Sequence, residues 1–351
     1  MQRACINILC ALAPKIRKPC DILYAARVMR IAILFTAVSA ASLLNGAARA
    51  ETFPMPPPDI DVVGELRVVT TKHEDTLLDI ARHYNLGYNE ITAANPGVDP
   101  WVPGEGTRVV VPTQFVLPPG PRRGVVLNLA QMRLFYFAEA KKGQPAQVVT
   151  QPVGIGTDYA RTPLGETRVV RKTPDPVWRP SSDIREEHVA AGHWLEAEVK
   201  PGPDNPLGKY ALYLGLPGGY LIHGTNKPWG IGMRVSHGCI RLYPEGIEAL
   251  YPFVPVGAPV RIIDERFLLG WKKNVAYLQA FGALIDDEDE RNTDLTPFVQ
   301  TLLKRAMRNG PPDWAKAIKT ASERRAIPVP IATGSPSLEE ILQKIPPATS
   351  P

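Results

Sequence analysis

The chain has 351 residues, a length that accommodates two or three domains with a sizeable core in at least one of them. Its 37 prolines are about twice the average share, which favours loop-rich β structure with rigid connectors over a helical bundle. The formal net charge of +5 comes from the first fifty residues, so it does not indicate binding to nucleic acid or to an anionic membrane.

Residues 1–50 have the composition of a secretory signal. They hold seven of the 40 basic residues and one of the 35 acidic residues, and their apolar run, 31–44, is too short to span a bilayer comfortably. The small residues of 48–50 suit signal peptidase, which predicts cleavage before Glu51 and a secreted chain without a membrane span. Met29 would itself make a normal start, so either an extended basic region or an incorrect start codon accounts for the residues before it.

Cleavage at this position would leave one cysteine. Cys5, Cys10 and Cys20 depart with the leader, and Cys239 remains alone in an oxidising compartment. A lone thiol has no disulfide role within the chain, so its presence indicates a reactive group.

A small module is predicted over residues 66–112, after a stiff Pro-rich lead-in over residues 51–65. Its expected elements are a strand at 67–70, a helix from the N-cap Asp75 to Tyr84, a helix at 88–94 and a strand at 107–111. This β-α-α-β order, with Asp75-Thr76-Leu77 and Asn95-Pro96, resembles LysM modules, which bind glycans that contain N-acetylglucosamine. The resemblance implies glycan binding, and the alternative is an adaptor domain that only orients its neighbour.

Short strands dominate after a linker at residues 113–123. They are predicted at 125–128, 133–137, 147–154, 167–171, 210–214, 220–223, 240–242 and 260–263. Residues 124–264 are therefore expected to form a mainly β, sandwich-like domain. The glycines of 154–156 have no helix after them, which favours a structural turn over a phosphate-binding loop.

A proline-rich insertion interrupts these strands at residues 173–205. Its aromatic and basic residues, such as Trp178 and Trp194, lie on a loop-like stretch, so we expect a lid or one wall of a substrate cleft. His188 and His193 are five residues apart, but no carboxylate or cysteine joins them in a metal-binding spacing. That pattern favours surface histidines over a metal site.

A cysteine and two histidines lie close together further along the chain. A cysteine attacks a carbonyl as its thiolate, and because a free thiol has a pKa of ~8.5, a neighbouring imidazole must take its proton. His223 follows a short apolar strand, where the Gly224 carbonyl lies within reach to fix its tautomer, so His223 is the better base. The backbone N–H groups of Gly238 and Cys239 could form an oxyanion hole, with His237 shaping that site or contacting substrate.

These residues carry a family resemblance. His-Gly-Thr at 223–225, followed after a loop by Ser-His-Gly-Cys-Ile-Arg at 236–241, is similar to the signature of L,D-transpeptidases, bacterial enzymes that cross-link the cell wall. The resemblance implies that His223 is the general base, that Cys239 is the nucleophile and that the Gly224 carbonyl completes the triad. It also implies a mixed β-sandwich for the catalytic domain.

Three further residues are predicted to bind substrate. Arg241 could pair with a substrate carboxylate or only hold the turn, Ser236 is expected to brace that turn, and Thr225 follows the base. A zinc site built from the two histidines and the cysteine is chemically possible. The resemblance explains the same residues without a metal or cofactor.

Residues 265–351 are expected to form a helical and Pro-rich tail to which the sequence assigns no chemistry. Helix-like apolar spacing occurs at 267–278, 295–307 and 338–345, and the Pro-rich stretches at 327–336 and 346–351 are expected to be flexible.

The resemblance also implies the substrates. A peptidoglycan tetrapeptide stem would be cut between diaminopimelate and D-alanine through a Cys239 thioester. The acceptor is a second diaminopimelate, giving a 3→3 cross-link, or the C-terminal lysine of an outer-membrane lipoprotein. The likeness of residues 203–208 to periplasmic members from Gram-negative bacteria favours the lysine and a periplasmic location. Two alternatives stay open, a hydrolase in which water resolves the thioester and a non-catalytic wall-binding protein.

Overall fold

The computed structural model describes residues 51–141, 143–282, 299–300 and 312–351. The strands defined there are β1 (Glu51–Pro54), β2 (Val62–Gly64), β3 (Arg67–Thr70), β4 (Arg108–Val111), β5 (Gln114–Val116), β6 (Gly124–Asn128), β7 (Arg133–Ala138), β8 (Gln147–Pro152), β9 (Ile155–Gly156), β10 (Gly165–Pro174), β11 (Tyr210–Leu214), β12 (Leu221–His223), β13 (Arg234–Ser236), β14 (Ile240–Arg241), β15 (Pro259–Ile263), β16 (Phe267–Lys272), β17 (Val275–Ala280), β18 (Val329–Pro330) and β19 (Ala348–Thr349). The helices are α1 (Leu77–His83), α2 (Tyr88–Ala94), α3 (Ser182–Ala190), α4 (Pro244–Leu250), α5 (Trp314–Glu323) and α6 (Leu338–Lys344). The predicted signal, and all but two residues of the helix expected at 295–307, lie outside the described residues.

A nine-stranded sheet forms the centre of the fold, in the order β1-β8-β7-β6-β15-β10-β11-β12-β14. Its neighbours are antiparallel except for two parallel pairs, β15 with β6 and β12 with β14. Alternate residues of β6 serve different cores, because Val125 and Leu127 pack with the rest of this sheet while Val126 packs with the small module. The mainly β architecture expected for this region is confirmed.

The small module has the predicted element order, β3-α1-α2-β4. Its first helix begins one residue later than expected, since the N-cap is Thr76, whose hydroxyl accepts from Asp79 N at 3.1 Å. Asp75 instead accepts from Lys72 N at 2.6 Å. The module packs against the back of the central sheet, where Phe135, Phe137 and other side chains of β6–β8 share its core.

A buried ion pair joins the module to the sheet. Arg133 on β7 is fully buried and donates from Nε and Nη2 to the two carboxylate oxygens of Glu90 on α2, at 2.6 and 2.8 Å. Its guanidinium also donates to Asn85 O at 2.8 Å and lies 4.2 Å from the ring centroid of Phe115. Because removing one member of such a pair costs about 3–5 kcal/mol, these contacts fix the module on the sheet.

The lead-in and the linker are more ordered than their composition indicates. In the lead-in, β1 pairs with β8 as an edge strand of the central sheet, and β2 pairs with β5, which lies within the predicted linker. Proline at a strand end or edge is compatible with pairing, which is why the Pro-rich composition did not reveal these strands.

The helix expected at 267–278 is wrong. These residues form an antiparallel hairpin of β16 and β17, in which Lys272 pairs with Val275. The two residues between them, Lys273 and Asn274, have φ of 51° and 65°, the left-handed values of a two-residue hairpin turn. The apolar residues therefore have a strand period, whereas the predicted helix at 338–345 is present as α6.

The two Pro-rich stretches of the tail also contain strands. β18 pairs with β17, and β19 pairs in parallel with β3 of the small module. Within the described part of the chain, no helix has the length and apolar character needed to cross a membrane.

Candidate active site

Two neighbouring parallel strands, β12 and β14, bring the predicted histidine and cysteine together. Ile222 pairs with Ile240 and His223 pairs with Arg241. Both isoleucines are buried in the central core. Since side chains alternate along a strand, His223, Arg241 and Cys239, which immediately precedes β14, share the opposite face.

His223 is held as a neutral base. Its ring is buried, and Nδ1 lies 2.6 Å from Gly224 O. A carbonyl can only accept, so Nδ1 carries the hydrogen and Nε2 keeps its lone pair. Burial, reinforced by the charge of Arg241 and opposed by the Gly224 and Leu207 carbonyls, lowers the pKa of His223 to about 4.

Cys239 is a half-buried free cysteine. Burial raises the pKa of its thiol, while a hydrogen bond from the Leu221 backbone and the charge of Arg241 act in the opposite direction. The resting pair is therefore thiol and imidazole, and the thiolate forms when proton transfer to His223 accompanies attack.

A clamped turn presents the cysteine. Ser236 Oγ donates to Cys239 O at 2.5 Å, and Thr162 Oγ1 donates to Gly238 O at 2.9 Å. Gly238 has φ of 97°, and a Cβ there would lie 2.6 Å from the Tyr220 ring. Glycine is therefore required at this position by both the backbone conformation and the available space.

Local hydrogen bonds engage three residues of the predicted site. Gly238 N–H donates to Ser236 Oγ at 3.2 Å, so in this arrangement it is not free to serve an oxyanion. Ser236 and Thr225 are buried, and Thr225 Oγ1 accepts from Lys227 N at 3.0 Å. Ser236 therefore braces the turn, as expected of it, and the substrate contacts predicted for Ser236 and Thr225 stay predictions.

The insertion reaches this turn through α3. His237 Nε2 lies 2.7 Å from Glu187 Oε2, so His237 is directed at the insertion. Glu187 lies fifty residues upstream, and no signal in the sequence links it to the motif. The helix itself has no buried residue. His188 Nδ1 lies 2.8 Å from Ile184 O within α3, and among the described residues no cluster of three or more His, Cys, Asp or Glu could hold a metal ion.

Arg241 retains unused hydrogen-bonding capacity. Its Nε is buried without an acceptor, and none of the ion pairs between described residues includes it. A cation on the His223 and Cys239 face is suited to a carboxylate ligand. Its backbone exchanges hydrogen bonds with Gly154 at 2.8 and 2.9 Å, so the glycine turn supports the cleft structurally.

The loop between His223 and Cys239 rests on the small module. Tyr88 N donates to Ile231 O at 3.0 Å and Asn89 N donates to Gly232 O at 3.3 Å. A Cβ at Gly232 would lie 2.2 Å from Tyr88 N, so only glycine permits this approach. The sequence did not predict this contact, because neither segment has a pattern that indicates its partner.

Comparisons with known proteins agree with this geometry. Residues 122–262 match the YkuD family, the L,D-transpeptidase catalytic domain. The chain is 42% identical over 240 residues to the probable L,D-transpeptidase YbiS of Escherichia coli K12, which covers 68% of this chain and 76% of that relative. It is 36% identical over 306 residues to the probable L,D-transpeptidase ErfK/SrfK of Salmonella typhimurium LT2, covering 84% of this chain and 96% of that relative.

Solved structures give a weaker likeness. The crystal structure of L,D-transpeptidase 3 from Mycobacterium tuberculosis has a TM-score of 0.29 at 20% identity, over 45% of this chain and 67% of that chain. This TM-score is too low to support a conclusion about the chain. The family assignment rests on YbiS and ErfK/SrfK, because both are more than 30% identical to this chain over most of their length. The chain therefore belongs to the L,D-transpeptidase family of cysteine acyltransferases.

Proposed function

We propose that this L,D-transpeptidase acts in the periplasm on peptidoglycan tetrapeptide stems, with Cys239 as nucleophile and His223 as base. The observation that carries the proposal is the face that His223 on β12 shares with Arg241 on β14 and with Cys239 immediately before it, together with the Gly224 carbonyl that selects the tautomer of His223. The near-neutral chain after the leader and the signal-like residues 1–50 support export.

The proposed chemistry needs no cofactor. Nε2 of His223 takes the thiol proton as the sulfur of Cys239 attacks the carbonyl between diaminopimelate and D-alanine. Collapse of the tetrahedral intermediate breaks the C–N bond, and His223 returns the proton to the departing D-alanine amine. An acceptor amine then attacks the thioester, loses its proton to His223 and releases the thiolate, which His223 reprotonates.

Two groups would stabilise this path. The Cys239 N–H is the proposed oxyanion donor, and the Gly238 N–H could join it only after giving up its hydrogen bond to Ser236. Arg241 is proposed to hold the D-alanine carboxylate, because its guanidinium is adjacent to the reacting pair and retains a donor without an acceptor.

The small module is proposed to bind the glycan strand of the same polymer. Its β-α-α-β order and its resemblance to LysM modules support this role. The acceptor amine is proposed to be a second diaminopimelate or the terminal lysine of an outer-membrane lipoprotein.

The test is mass spectrometry of the mature chain incubated with a purified disaccharide-tetrapeptide. A mass gain on Cys239 with release of D-alanine, absent from Cys239→Ala, is expected. Separate reactions with a second muropeptide, with a peptide ending in lysine and with no added amine identify the acceptor. Hydrolysis at an equal rate in all three reactions would indicate a hydrolase, and the absence of an adduct in the folded parent would contradict the catalytic proposal.

A further inference from the structure

A groove of about 310 Å³ lies where the small module meets the loop between His223 and Cys239. The module contributes Asp79, Arg82, Tyr88 and Trp101, and the catalytic part contributes Trp229 and Tyr243. The volume is at the lower limit for small-molecule sites, about 300–1,000 Å³.

Two tryptophans make this groove unusual. Trp101 is 58% exposed and Trp229 is 62% exposed, although each is among the largest apolar side chains. Scattered exposed apolar residues need no explanation, but these two come from distant parts of the chain and line one groove. Their exposure leaves aromatic surface available to a ligand.

Both tryptophans sit on ordered backbone. The Asp99 carboxylate accepts from Trp101 N at 2.8 Å and from Val102 N at 2.9 Å, which fixes the turn before β4. Trp229 lies on the 3₁₀ turn Pro228–Gly230, and the next two residues are hydrogen-bonded to the N-terminus of α2. The backbone of this groove is therefore preorganised, so little loop entropy is lost when a ligand binds.

The polar lining is balanced in charge. Arg82 donates to both carboxylate oxygens of Glu245 at 2.9 and 3.1 Å and lies 5.6 Å from the Tyr243 ring centroid. Asp79 accepts from Thr76 Oγ1 at 2.6 Å. A lining with one acidic and one basic side chain, Asp79 and Arg82, favours a neutral ligand over an anion or a cation, and its aromatic walls favour a ligand with an apolar face. Neutral saccharides combine hydroxyl groups with apolar C–H faces.

We propose that the catalytic loop completes a saccharide site with the small module, so that a glycan strand is held between Trp101 and Trp229. This inference rests on the proposed glycan binding and adds that the site is composite. Because the loop of Trp229 connects His223 to Cys239, a bound strand would lie against the segment that joins the two reacting groups. Glycan contact and stem cleavage would then share one structural element.

The test is titration calorimetry of the mature chain with a soluble tetramer of N-acetylglucosamine. Trp101→Ala removes the aromatic surface that the module contributes and Trp229→Ala removes that of the catalytic loop, and we expect each to weaken binding by about tenfold. Phe253→Ala is the control, because this aromatic side chain is 43% exposed and does not line the groove. Thermal denaturation checks that all three variants stay folded.

The outcomes separate the two proposals. Weakened binding in both groove variants, with parent-like binding in Phe253→Ala, supports the composite site. Parent-like binding in Trp229→Ala with weakened binding in Trp101→Ala would overturn the composite site and leave binding by the module alone. Parent-like binding in Trp101→Ala, or equal weakening in Phe253→Ala, would overturn the assignment to this groove. If the folded parent binds no tetramer, both the composite site and the proposed glycan binding of the small module are overturned.

Discussion

The strand face that carries the reacting pair and the inserted helix that contacts it are held in opposite ways. His223 is 3% exposed, and the turn before Cys239 is clamped by hydrogen bonds from Ser236 and Thr162. Helix α3 buries no residue and reaches the turn through the exposed pair of Glu187 and His237. The chemistry therefore sits on a rigid scaffold, whereas the helix that contacts it can move at low cost.

The largest effect is expected from breaking the rigid side with Gly238→Ala. The new Cβ would meet the Tyr220 ring at 2.6 Å on a backbone with φ of 97°, so the turn must move and carry Cys239 with it. A displacement of about 1 Å costs on the order of 100-fold in turnover, which release of D-alanine would measure.

Gly219→Ala is the matched control for that change. Gly219 has φ of 76°, but nothing lies within 4 Å of the methyl group that alanine would add, so the substitution brings backbone strain without a clash. We expect parent-like turnover with a small loss of thermal stability. Parent-like turnover in a folded Gly238→Ala variant would show that the turn is not rigid.

The buried base predicts a pH effect on stability. The pKa of His223 is about 4 in the fold against 6.5 in a free side chain, so the unfolded chain binds its proton first as the pH falls. The contribution of neutral His223 to the free energy of unfolding is complete above pH 6.5. About 3 kcal/mol is lost as the pH falls from 6.5 to about 4. Urea denaturation at pH 7.5 and 4.5 should therefore show a smaller decline in His223→Gln than in the parent.

Other groups titrate in the same range, so only the difference between parent and variant is informative. Glu51 has its pKa raised to about 7 by burial, which destabilises the fold as the pH rises and thus acts in the opposite sense. It is present in both proteins and cancels. Equal declines in the two proteins would mean that His223 is not held neutral by burial.

The smallest effect is expected on the loosely held side, from Glu187→Gln. An exposed polar contact of this kind contributes about 0–1 kcal/mol, so loss of the hydrogen bond to His237 should change KM by no more than about fivefold and leave kcat unchanged. Glu186→Gln alters the adjacent exposed residue and is the control. A large fall in kcat would show that α3 takes part in the chemical step.

Local patterns were sufficient for much of the site and the fold. Neighbouring residues indicated a strand end before His223, a glycine turn before Cys239 and the presence of two short helices, although the first helix has Thr76 as its N-cap instead of Asp75. Contacts between distant segments were not indicated in this way, such as Glu187 with His237, because an exposed carboxylate carries no sign of its partner. The hairpin at Lys273 and Asn274 was missed because a short apolar run fits a helix period as well as a strand period.

Strands β6–β8 are buried on both faces. This burial determines whether the small module or the catalytic part can be moved to another protein. Val126, Phe135, Phe137 and Val148 are covered by the small module, and Arg133 is neutralised by Glu90 from that module. A catalytic fragment cut free of residues 66–112 would expose this apolar face and leave a guanidinium without its counter-ion. The module is thus an integral layer of the enzyme, and transplanting either part alone would demand a redesigned surface.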